Sequence, residues 1–224
     1  MTRTVTYEEL VDRLQALANT ENAAGQQRFG IRGENLLGIS IYDLRKLAAG
    51  IRDHELAQRL WDSGVHEARL LASMVDDPAQ VTRAQMDAWA ADFDSWDVCD
   101  QVCDNLFAHV AGILQVIPTW AVREEEFVRR AAFSTMAVLA WYDPLATDEQ
   151  VEAFFPLIQR YADDSRNFVK KAVNWALRNI GKKRGSLRAQ AVACAKELAK
   201  SEIPSARWIG KDALKEFATK FGPL

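Results

Sequence analysis

The chain reads as all-α, a stack of paired helices, and three observations point there. Nearly every segment carries apolar residues at spacings of three and four, and no convincing alternation of period two appears. One short block also recurs at a fixed interval in the second half. It reads Phe127-Val128-Arg129-Arg130-Ala131, then Phe168-Val169-Lys170-Lys171-Ala172, then Trp208-Ile209-Gly210-Lys211, with starts 41 and 40 residues apart.

A period near 40 belongs to solenoids of the HEAT or armadillo kind, where each helix pair buries its apolar face only against its neighbours. The expectation is one continuous right-handed array over residues 1–224, with no linker and no low-complexity segment. The fourth position of the block is basic in all three copies: Arg130, Lys171 and Lys211. Stacked repeats line up equivalent positions, which predicts a row of positive charge along one wall of a concave groove. A basic groove suits a polyanion, and nucleic acid is the first candidate.

The elements follow in order. Thr6 is the N-cap of a first helix carrying Leu10, Leu14 and Leu17, and Glu9 completes a capping box. Gly25 to Gly38 reads as a connection. Ser40 then caps a helix through Ile41, Leu44 and Leu47. Further helices are expected over 53–62, 66–75, 82–92, 95–110, 121–141, 147–162, 167–180, 187–200 and 205–220. Asp77-Pro78, Asp143-Pro144, Gly181 and Pro204 mark breaks between them.

Composition excludes several classes. Hydrophobic residues at 49% and charged residues at 26% suit a globular chain with a sizeable core. No apolar run is long enough to span a membrane, and the segment Met1-Thr2-Arg3-Thr4 has no apolar stretch of signal-peptide type. Three cysteines, at 99, 103 and 194, form no disulfide framework and suit a reducing cytoplasm. The net charge of −3 hides an asymmetry: residues 166–224 hold 14 Lys+Arg against 4 Asp+Glu, a balance of +10, and the rest stands at −13. Such a basic end points to nucleic-acid contact, although a solvated helix surface would carry the same charge.

Three pieces could carry chemistry. Trp96 and Asp100 lie one turn apart on a helix whose other face, Val98, Val102 and Leu106 with Cys99 and Cys103 beside it, is apolar. The pair is either a site edge or a half-buried tryptophan beside a solvated aspartate. Lys171, Trp175, Arg178 and Lys182 form one stripe at spacings of four, three and four, suited to a phosphate backbone, or else to packing with snorkelling lysines. Arg130 is in register with Lys171. Cys99, Cys103 and His109 lack a fourth metal ligand and read as small buried residues with a nearby histidine. The histidines at 54, 66 and 109 show no nucleophile pattern, and neither a glycine-rich phosphate loop nor a serine elbow is present.

Together these residues resemble the AlkD-type DNA alkylation repair proteins, HEAT-like-repeat DNA glycosylases of bacteria. The resemblance runs from about Gly30 to Lys215 and includes Gly38-Ile39-Ser40, Leu44-Arg45-Lys46, Trp96-Asp97-Val98-Cys99-Asp100, Arg129-Arg130, and the run from Lys171 to Arg178. It implies excision of N3- and N7-alkylated purines from double-stranded DNA without extruding the base. It also implies Asp100 as the catalytic carboxylate, Trp96 and Trp175 cradling the damaged nucleotide, and Arg130 holding a phosphate. Lys171, Arg178, Lys182, Lys211 and Lys215 are expected to contact the DNA backbone. No cofactor and no metal are expected, and the protein should be a cytoplasmic, nucleoid-associated monomer. Two alternatives keep the fold: a non-catalytic binder of bent or branched DNA, and a protein-interaction scaffold.

Overall fold

The computed structural model describes residues 5–31, 35–142 and 145–223. The Asp143-Pro144 break and the segment Met1 to Thr4 lie outside the described residues. Every regular element among the described residues is helical, and the chain divides into two compact units, 1–111 and 112–224.

The first unit contains α1 (Tyr7–Ala16), α2 (Thr20–Arg28), α3 (Ile41–Ala48), α4 (His54–Asp62), α5 (His66–Val75), α6 (Arg83–Ala91) and α7 (Trp96–Asn105). A short 3-10 turn, Phe107–His109, follows α7. The Thr6–Glu9 capping box forms as expected, and Ser40 caps α3 through the Asp43 amide. Leu10 and Leu14 are buried, whereas Leu17 falls just past the end of α1 and is exposed. Centrally, α5 packs against α3, α4 and α7 and buries both its apolar residues and its two opening residues, His66 and Glu67. Trp61 and Trp89 stack with ring centroids 4.0 Å apart, and the Trp61 indole donates to Asp92 at 2.9 Å.

The second unit contains α8 (Ile113–Ala121), α9 (Glu126–Trp141), α10 (Asp148–Glu152), α11 (Phe155–Tyr161), α12 (Asn167–Lys183), α13 (Arg188–Ala199) and α14 (Pro204–Phe221). Here the repeat is visible. The recurring block falls in the opening turns of α9, α12 and α14, and these pack in a row, α9 on α12 and α12 on α14. Its second position (Val128, Val169, Ile209) is buried in every copy. First positions meet across the row, the rings of Phe127 and Phe168 lying 5.5 Å apart. In the third copy Gly210 replaces a cation because α13 passes close. A Cβ there would collide with the backbone of Ala195 and Ala199.

Four expectations need correction. Residues 20–28 form α2, capped by Asn19, where no helix was expected, and its last turn enters the stretch from Gly25 that reads as a connection; its apolar stripe is too weak to show as a period. Residues 113–121 form α8, an almost wholly apolar helix with an internal Pro118, where no helix was expected. The helix expected over 147–162 is interrupted at 153–154, where the chain turns into the Pro156 start of α11. Gly181 does not end its helix. It lies inside α12 against the Phe217 ring, where any Cβ would clash.

Candidate nucleic-acid interface

In the first unit, α7 turns Val98, Cys99, Val102 and Cys103 into the core, all fully buried. Trp96 and Asp100 lie off that face, and both are half-buried. The Trp96 indole N–H donates to the Phe29 carbonyl at 3.0 Å, just past the end of α2. An open pocket of about 510 Å³ lies against Trp96, lined also by Glu21, Gln26, Phe29, Gly38 and Ser40. Residues of α2 and of the Gly38–Ser40 stretch therefore wall the Trp96 site, a role the sequence did not disclose.

Two inward-turned acids, Glu67 and Asp97, hold this edge in position. Glu67 accepts the backbone N–H groups of Leu37, Gly38 and Ile39 at 2.8, 2.6 and 3.1 Å, so one carboxylate fixes a pocket wall. Gly38, at φ 76° and pressed against the Asn19 carbonyl, has no room for a side chain. Next to Glu67, His66 Nε2 lies 2.8 Å from Asp97 Oδ2, and Ser95 Oγ donates to the other oxygen of Asp97. Burial opposes ionisation of both partners, yet their mutual hydrogen bond and charge outweigh it. His66 is held above its ordinary value and Asp97 below its own. Asp97 is thereby committed to α5, while Asp100 is the carboxylate one turn along α7 from Trp96.

Asp104, one further turn along α7, is lifted above the usual carboxylate range. Burial is the main cause, and the like charge of Asp100 adds to it against the pull of His109 and Arg45. The edge is thus an acidic one, suited to a cationic centre.

In the second unit the expected row of cations divides. Lys171, Lys211 and Lys215 are exposed. Arg130 is not: only 5% exposed, it donates from Nη1 to the Phe168 carbonyl and joins α9 to α12. Expected as an exposed member of a charged wall, it acts as a buried connector. The α12 stripe divides in the same way. Arg178 pairs with Glu216 and, at 3.6 Å, with Asp212, while Lys182 pairs with Glu216 at 2.6 Å. These two acids, one turn apart on α14, face the stripe and absorb two of its cations. Trp175 is half-buried between Lys171 and Arg178.

Sequence reasoning missed the polar groups that tie the row together. Arg184, almost fully buried, donates to the carbonyls of Leu139, Ala140, Tyr142 and Ala146 and so caps the end of α9. Asn174 donates to Ile209 O at 3.2 Å and Asn179 to Ala137 O at 3.0 Å. Arg129 and Arg166 both bind Asp164. Burial resists that carboxyl's ionisation, but the two guanidinium bonds outweigh it and hold its pKa down to about 2. No periodicity marks these residues as partners across helices, since a polar side chain reads the same in sequence whether it is buried or solvated.

Residues 10–217 match the sequence profile of the DNA alkylation repair enzyme family. The chain belongs to that family. No curated protein sequence matches it. Its fold is similar to a solved structure described as "a new family of proteins related to the HEAT-like repeat DNA glycosylases with affinity for branched DNA structures", at a TM-score of 0.78 and 18% identity over 95% of each chain. The fold of this family member is therefore HEAT-like, as its 41- and 40-residue spacing implied. Among its described residues, no helix is long and apolar enough to cross a membrane, and no group of three or more His, Cys, Asp or Glu side chains could hold a metal ion.

Proposed function

We propose that the protein binds double-stranded DNA and excises purines alkylated at N3 or N7. The observation that carries this reading is the α7 edge. An indole and a carboxylate stand one turn apart outside the core, on a helix tied to α5 by the His66–Asp97 pair, in a chain of a DNA alkylation repair family.

The chemistry asks for little more. An N3- or N7-alkylated purine is cationic and leaves as a neutral base, so no general acid is needed. As the glycosidic bond breaks, positive charge moves to the deoxyribose, where Asp100 stabilises it and orients the attacking water. Trp96 attracts the cationic nucleotide through its indole face, worth roughly 0.5–2 kcal/mol according to desolvation. Lys171, Lys211 and Lys215 are the exposed cations offered to phosphates. Arg130 then acts at one remove, fixing α9 against α12.

Duplex DNA carrying one N7-methylguanine tests this by release of the free base. Asp100→Asn should lower release by about 100- to 1,000-fold with duplex affinity unchanged. Undiminished release would reject the assignment. A second reading, binding of branched DNA without catalysis, gains from the burial of Arg130 and from the description of the similar structure. Tight binding to a four-way junction with no base released from any alkylated substrate would select it.

A further inference from the structure

The block that revealed the repeat opens α9, α12 and α14; the opposite ends of the same helices carry a second pattern. α9 closes on Trp141 and Tyr142, which are 41% and 44% exposed, and α14 closes on Phe221, 36% exposed. Each of the two helix-ending rings lies under a cation from an adjoining element. Lys183 Nζ is 3.5 Å from the Trp141 ring centroid and Arg188 Cζ is 3.8 Å from that of Phe221. Lys182 and Lys220 approach the same two rings at 5.8 Å.

These ends are in register. Arg184 binds the last carbonyls of α9, Lys182 binds Glu216 of α14, and Gly181 meets Phe217. Two acids near this edge, among the described residues, are committed elsewhere: Glu216 to Arg178 and Lys182, and Asp148 to Arg184 and Ser186. Lys183, Arg188 and Lys220 instead face aromatic rings. Indole, phenol and phenyl surfaces left in water, with cations laid over them, suit neither a core nor an ordinary solvated face. They match what an unpaired nucleotide offers, a flat base beside a phosphate. Paired bases present no free face to an indole, so an intact duplex gains little here.

We infer that the edge formed by Trp141, Tyr142, Lys183, Arg188 and Phe221 binds unpaired nucleotides of DNA. The inference takes from the proposed function only that the partner is DNA, and it adds a surface for single-stranded segments at gaps or junctions. A labelled single-stranded oligonucleotide and an intact duplex, compared by fluorescence anisotropy, test it. Trp141→Ala should weaken single-strand binding about tenfold, the loss of one stacked base, while duplex affinity holds. Trp141→Phe should restore most of the affinity. Lys183→Ala should reduce the slope of log K against log salt for the single strand by about 0.7. Wild-type single-strand affinity in Trp141→Ala overturns the inference, as does displacement of the edge by an acidic peptide but not by the oligonucleotide. The two readings fail separately. Base release with Trp141-independent single-strand binding sinks only this edge; Trp141-dependent binding without base release sinks only the glycosylase.

Discussion

The two units satisfy buried backbone groups with opposite chemistry. In the first, a buried carboxylate turns inward as acceptor: Glu67 takes three amide N–H groups. In the second, buried arginines turn inward as donors: Arg184 supplies four carbonyls and Arg130 the Phe168 carbonyl. The split of charge along the chain is therefore partly internal. Arg130 and Arg184 are used inside, and Arg178 and Lys182 are balanced by α14 acids. Of the 14 cations in the last 59 residues, Arg184 is buried, and Arg178 and Lys182 face α14 acids that the balance of +10 already subtracts, so the surface contribution rests on Lys171, Lys211, Lys215 and their exposed neighbours.

The comparison can be broken most sharply at Arg184. Arg184→Met keeps the aliphatic stem but leaves four carbonyls without their donor, and should cost about 3–5 kcal/mol in urea unfolding. A loss near zero would mean that water replaces the guanidinium and that the second unit is not held this way. Its counterpart is Glu67→Gln, which retains the shape and loses the charge. About 2 kcal/mol should be lost, with faster hydrogen exchange at the Leu37, Gly38 and Ile39 amides.

Arg130→Ala should cost about 1–3 kcal/mol of stability, as a buried arginine hydrogen bond does, with little change in duplex affinity. If affinity fell instead at unchanged stability, Arg130 would regain the phosphate-holding role expected from the sequence.

The smallest expected effect is the pH dependence of the His66–Asp97 pair. His66 titrates above its ordinary value, so its contribution is full at pH below the unfolded histidine and fades as pH rises through the raised folded value. Asp97 titrates below its own, so its contribution holds above the unfolded carboxyl and fades as pH falls through the depressed folded value. Stability from the pair is therefore greatest between the two limbs. His66→Gln should flatten the alkaline limb of a stability–pH curve; an unchanged limb would show that the pair does not couple to folding.

Much of this was legible in the chain. The 41- and 40-residue spacing gave the row α9–α12–α14, and Thr6 and Ser40 cap as their spacing to Glu9 and Asp43 required. The apolar face of α7 was readable too, and with it the exclusion of Trp96 and Asp100 from the core. Helix α2 was not, because Thr20–Arg28 buries no residue and leaves no periodic trace. Helix α8 hid for the opposite reason, being apolar nearly all round.

What the sequence determined alone is whatever depends on near neighbours along the chain: helical period, caps, the repeat, and which residues share a helix face. What the tertiary structure decided is which element that face meets. Lys171 and Arg178 lie on one stripe of α12, yet the first is exposed and the second is bound to α14 acids 34 and 38 positions away. A cation's partner is set by what packing brings within hydrogen-bond reach, and helix periodicity carries no information about that distance.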